Sequence, residues 1–143
     1  MQSPSPIRRT ALHPLHALLL AWPVALFPAA LLSDIAYLNT AEMQWSNFAA
    51  WLITGALLFG GMAFVFCVVS AVRERSAGAR SARFLNLLLL ALAWIAGLVN
   101  AFHHSRDAWS SVGTAGLLLS IASSTLALAA GWIAYAGIRE KNL

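Results

Sequence analysis

Four long stretches without a single lysine or arginine decide what this chain can fold into. They run from Leu15 to Leu38, Phe48 to Val72, Phe84 to Phe102 and Val112 to Ile138. A helix crosses the hydrocarbon core of a bilayer with about 20 apolar residues. Each stretch is near that length, and together they take up most of the 143 residues. The expected fold class is therefore all-α: an integral membrane four-helix bundle occupying residues 1–143 as a single transmembrane domain. Composition agrees. The chain is 60% hydrophobic and only 10% charged, where soluble domains carry about 25% charged residues.

The connections between the stretches are short, so consecutive helices are expected to be antiparallel neighbours. The segments 39–47 (NTAEMQWSN), 73–83 (RERSAGARSAR) and 103–111 (HHSRDAWSS) read as loops. Their charges orient the bundle. Arg8, Arg9, Arg73, Arg75, Arg80, Arg83, Arg139 and Lys141 fall on one side, and only Arg106 falls on the other. Basic residues collect on the cytoplasmic side, so both termini are expected in the cytoplasm. Trp45, Trp51 and Trp109 then mark the outer interface, and Trp132 and Tyr135 the inner one. The net charge of +4 is spread over separate segments rather than one basic face, which excludes a nucleic-acid surface.

The first stretch is expected to be retained rather than cleaved as a signal peptide. It is longer than a typical apolar signal core and ends in Ser33-Asp34 without a small-x-small cleavage site. Pro23 and Pro28 lie inside it. Each removes a backbone donor and leaves the carbonyl four residues earlier without its helical partner, so a bend is expected there. Small residues that let helices approach recur at Ala56 and Gly60, at Ala93, Gly97 and Ala101, and at Gly116, Ser120 and Ser124 beside Ala127 and Gly131. Cys67, the single cysteine, reads as a small buried hydrophobe.

The residues with chemistry lie near the helix ends. His13 and His16 are three apart and share a helix face, while Pro14 suits the first turn. The pair is a candidate metal or haem ligand set. The pair alone falls short of the three or four ligands that zinc takes, and at the same level only Glu74 and Glu140 could assist. Capping and anchoring the helix is therefore the favoured role for both histidines, and no cofactor is predicted. At the opposite end, Asp34, His103, His104 and Arg106 form a candidate interfacial polar cluster, because an ionisable group in a membrane helix needs a partner. Asn86 and Asn100 are candidates for interhelical hydrogen bonds. No phosphate loop, nucleophile elbow or paired mid-membrane carboxylates are present.

The stretch HPLHALLLAWPVALFPAALLSDIAY resembles the first helix of the bacterial membrane family called Domain of Unknown Function 2231. His13, Pro14, His16, Pro23, Ala25, Leu26, Phe27, Asp34 and Tyr37 carry the likeness, which continues through WSNFAAWLITGALLFGG and GWIAYAGIRE. The resemblance implies four spans and the bacterial inner membrane. It also implies a possible metal or haem site built from further histidines on the third and fourth helices. Here those helices read ARSARFLN and YAGIRE, with Tyr135 and Arg139 but no histidine. The expected function is a structural or accessory subunit, self-associated or part of a membrane complex. The alternatives are a haem- or metal-binding redox module using His13 and His16, and a small transporter or channel subunit.

Overall fold

The computed structural model describes residues 9–10, 12–73, 80–105, 112–136 and 138–139. Four helices dominate: α1 (Pro14–Thr40), α2 (Met43–Arg73), α3 (Arg80–His104) and α4 (Thr114–Ala136). All four are long and apolar enough to cross a membrane. α1, with 27 residues, reaches about 40 Å at the 1.5 Å rise of a helix. Two-residue strands at the chain ends, β1 (Arg9–Thr10) and β2 (Ile138–Arg139), pair antiparallel.

The helices pack in a ring, α1 on α2, α2 on α3, α3 on α4 and α4 back on α1. The buried positions follow one rule. In α1 they include 16, 20, 23, 27, 30 and 34; in α2, 67, 63, 60, 56, 53 and 49; in α3, 86, 90, 93, 97, 100 and 104. In α4 they include 134, 130, 127, 123, 120 and 116. Alternating steps of three and four residues give a 3.5-residue repeat, the pattern of a left-handed bundle. Reading across the four helices gives six successive layers.

These seams are rich in Ala, Gly and Ser, while the large side chains point outward. Trp51 is 71% and Trp132 79% exposed. The hydrophobic effect does not drive helices together in lipid, so close backbone approach matters more than large side chains. Two glycines show how close. A Cβ added at Gly97 would lie 2.5 Å from Cζ of the buried Phe27, and one at Gly61 would lie 3.3 Å from the indole nitrogen of Trp94. That bare backbone lets Trp94 Nε1 donate to the Leu57 carbonyl at 2.9 Å, tying α3 to α2. In α1, Pro23 sits against Gly60, and the helix runs without a break through both prolines.

α1, α2 and α3 extend beyond the apolar stretches, whereas α4, at Thr114–Ala136, is shorter than the expected Val112–Ile138, and Ile138 belongs to β2. Residues 39–47 are not a loop: only Ala41 and Glu42 lie between α1 and α2. Asn39 and Thr40 prolong α1 because their side chains bond the Ile35 and Ala36 carbonyls one turn back. Ala41 then stops it in the left-handed conformation, φ 56°, with its N–H on the Tyr37 carbonyl.

Candidate functional site

The layer register concentrates polar groups at the two ends of the interior. At the end where α1 leaves and α3 finishes, Asp34, Asn100, His104 and Ser120 form one hydrogen-bonded network. Asp34 and Asn100 are completely buried. His104 Nε2 lies 2.8 Å from Asp34 Oδ1, and His104 Nδ1 lies 3.0 Å from the Asn100 carbonyl. Ser120 donates to Asp34 Oδ2 and accepts from Asn100 Nδ2 at 2.7 Å. Three helices therefore meet at one carboxylate.

The donor inventory settles much of the charge arrangement. A backbone carbonyl can only accept, so the Asn100 contact places a proton on His104 Nδ1. One further proton occupies the bond between His104 Nε2 and Asp34 Oδ1. On nitrogen it makes an ion pair; on oxygen it makes two neutral groups. Either way the pair carries no net charge, which is what a buried site in a membrane requires. The trio is not a hydrolytic triad. Both His104 nitrogens are occupied, and the Ser120 hydroxyl donates to the carboxylate rather than to an imidazole, so the serine–histidine bond of such a triad is missing.

The expected cluster was interfacial and drew on four residues. Asp34 and His104 are joined, at the C-terminal end of α3 and buried between the helices. His103 is only partly buried. Neighbouring positions point about 100° apart on a helix, and His104 takes the inward one. Arg106 lies outside the described residues. Asn100 makes the interhelical hydrogen bond expected of it, and Ser120, expected in a packing seam, lies there and also links Asp34 to Asn100. Asn100, rather than Ala101, continues the α3 seam from Ala93 and Gly97. The 3.5-residue spacing from Asn86 to His104 was the available signal.

At the other end, His13 caps α1, its Nδ1 accepting from the Leu15 N–H at 3.2 Å. His16 is buried. Both imidazoles lie 5.3 Å from the Phe66 ring, that of His16 stacked on it. His16 Nε2 and Asn86 Oδ1 are buried without a hydrogen-bond partner, as are Ser124 Oγ at the middle of α4 and Asn100 Oδ1 at the opposite end. Tyr135 donates to the Ala17 carbonyl at 2.9 Å and clasps α4 to α1. No group of three or more His, Cys, Asp or Glu residues with metal-binding geometry occurs among the described residues. Glu74 and Glu140 lie outside them.

Between the two polar ends the interior is mostly apolar, with Ser123 and Ser124 buried in it. Successive layers are Leu20, Ala63, Leu90 and Ala130; Pro23, Gly60, Ala93 and Ala127; and Phe27, Ala56, Gly97 and Ser123. The Ser123 hydroxyl bonds back to carbonyls of its own helix.

A multi-pass membrane bundle with a buried carboxylate–histidine network is the class these features define. More specifically, residues 12–135 match the model of the family described as "Predicted membrane protein (DUF2231)", and the chain belongs to that family. No curated protein and no solved structure matches it.

Proposed function

We propose that the protein is a structural or accessory subunit of a bacterial inner-membrane assembly, with both termini in the cytoplasm. The observation that carries this reading is the closed interior. Two apolar layers and a third whose polar member is Ser123, bonded back to its own helix, separate the polar ends, so the described residues of a lone copy offer no continuous polar path for a solute. The Asp34 network meets its own hydrogen-bond needs across α1, α3 and α4, as a fastening would. The exterior presents apolar side chains to lipid or to neighbouring membrane helices, as either a homo-oligomer or a subunit of a larger complex. Copurification from native membranes in mild detergent tests the proposal. A stoichiometric membrane partner or a defined homo-oligomer supports it. A lone monomer at every detergent concentration contradicts it. Solute flux in proteoliposomes above that of empty vesicles would favour the transporter or channel alternative instead.

One observation favours the second reading, a haem- or metal-binding module. His16 Nε2 is buried and unpartnered beside His13 on the same helix. An absorption spectrum and metal analysis of the purified chain test it. Without a Soret band or stoichiometric metal, the two-histidine site is discarded.

A further inference from the structure

The end of the bundle opposite the Asp34 network gathers positive charge. α1 and α3 start there, and α2 and α4 finish there. Eight of the nine Lys and Arg residues belong to segments 8–9, 73–83 and 139–141 at this end, against two acids, Glu74 and Glu140. The strands β1 and β2 meet here, between the start of α1 and the end of α4. Their register sets Arg9 directly opposite Arg139. Directly opposed residues of an antiparallel pair have Cβ atoms about 5 Å apart, and like charges at such positions destabilise the pairing. A two-stranded ribbon is marginal on its own, so two residues per strand offer little to offset that repulsion. An anion shared by the two arginines turns the repulsion into attraction.

The protein surface below the ribbon is apolar and aromatic. Leu15 and Leu18 in the first turns of α1 are exposed, as are Trp132 and Tyr135 in the last turns of α4. Trp and Tyr favour the boundary between headgroups and hydrocarbon. The Tyr135 hydroxyl already bonds the Ala17 carbonyl, so α1 and α4 are clasped together at this level. A ligand that meets both features carries an anionic group at one end and hydrocarbon at the other.

We propose that Arg9 and Arg139 bind the phosphate diester of an anionic phospholipid, whose acyl chains run along the exposed faces of α1 and α4. Guanidinium groups suit phosphate because their planar fork matches two oxygens at once. Basic clusters beside a membrane helix attract anionic lipid. A zwitterionic lipid brings its own cation to the phosphate and so gains less from two arginines. Inorganic phosphate has the charge but no chains to lay on the helices. The bound headgroup adds a second tie between α1 and α4, next to the Tyr135 clasp. This site goes beyond both readings above, because neither gives the strand pair a role.

The test uses the full chain purified in detergent. Native mass spectrometry titrates it with phosphatidylglycerol and with phosphatidylcholine of the same acyl chains. Wild type is expected to retain phosphatidylglycerol in clear preference. Arg9→Gln and Arg139→Gln should each weaken that binding about fivefold, and the double variant about 25-fold. Arg73, exposed at the end of α2, is the control. Arg73→Gln should stay within about twofold of wild type, because screening confines each charge to its surroundings. Equal retention of the two lipids by wild type would overturn the proposal, as would wild-type affinity in the double variant. A loss in Arg73→Gln equal to that of the ribbon variants also overturns it, since diffuse positive charge then accounts for the binding. So does displacement of the lipid by an equal concentration of inorganic phosphate, which would make this a free-anion site. Gel filtration checks the fold of each variant; if the double variant does not fold, the single variants decide.

Discussion

His104 Nε2 sits 2.8 Å from Asp34 Oδ1, and neither side chain has any exposed surface. The pair joins residues 70 positions apart and links the end of α3 to the C-terminal third of α1. Removing one partner leaves a polar group with no water to turn to. His104→Ala and Asp34→Ala should each destabilise the bundle by about 3–5 kcal/mol, the range for breaking a buried pair. The double substitution should cost clearly less than the sum, because neither side chain is then left without the other. Reversible unfolding in mixed micelles, run as a double-mutant cycle, measures this. Additive effects would mean that the two side chains do not depend on each other.

Ser120 and Ser123 provide a matched comparison. Each is 1% exposed and they share one helix. Ser123 bonds only to carbonyls of α4, whereas Ser120 serves Asp34 and Asn100 on two other helices. Ser123→Ala should change stability by less than about 0.5 kcal/mol. Ser120→Ala should cost about 1–3 kcal/mol, because it strands the Asn100 amide and removes a donor from the carboxylate. Equal effects in the same unfolding assay would show that burial, not connectivity, governs these serines.

How much of this was legible beforehand depended on the kind of signal. Four helices followed from apolar stretches free of Lys and Arg, because the bilayer tolerates little else. Their ends did not, since Asn39 and Thr40 look like loop residues until their side chains bond back to their own helix. The partnership of Asp34 with a histidine at the same depth could be anticipated in outline. The choice between His103 and His104 turned on the 3.5-residue repeat of α3. In α4 almost every residue is small or aliphatic. Gly116, Ser120 and Ser124 therefore looked like one stripe and Ala127 and Gly131 like another, though all five are buried. Small residues mark where helices approach, but they do not say which of them also bonds across the gap.

Ala41 ends α1 at φ 56°, a conformation that glycine enters freely and alanine does not. Its N–H already makes the capping bond to Tyr37, so only the side chain is unfavourable. Ala41→Gly should therefore stabilise the protein by up to about 1 kcal/mol, seen as a higher unfolding midpoint. A larger residue such as Ala41→Val should lower it. An unchanged or reduced midpoint for the glycine variant would place the strain elsewhere.

Gly97 and Phe27 bring α3 and α1 close together at mid-bundle. An alanine Cβ at position 97 would stand 2.5 Å from Phe27 Cζ and 2.6 Å from Cε1. The ring is only 2% exposed and lies within the central apolar cluster, so it has nowhere to swing. Gly97→Ala should consequently cost about 1–3 kcal/mol, the usual range for overpacking a core. Phe27→Leu alone should also destabilise, by leaving space where the ring was. Together the two changes should compensate, the smaller side chain making room for the added methyl. A double variant more stable than Gly97→Ala alone, judged by thermal unfolding in detergent, is the expected result. A double variant whose loss equals the sum of the single losses would show that the two residues do not meet.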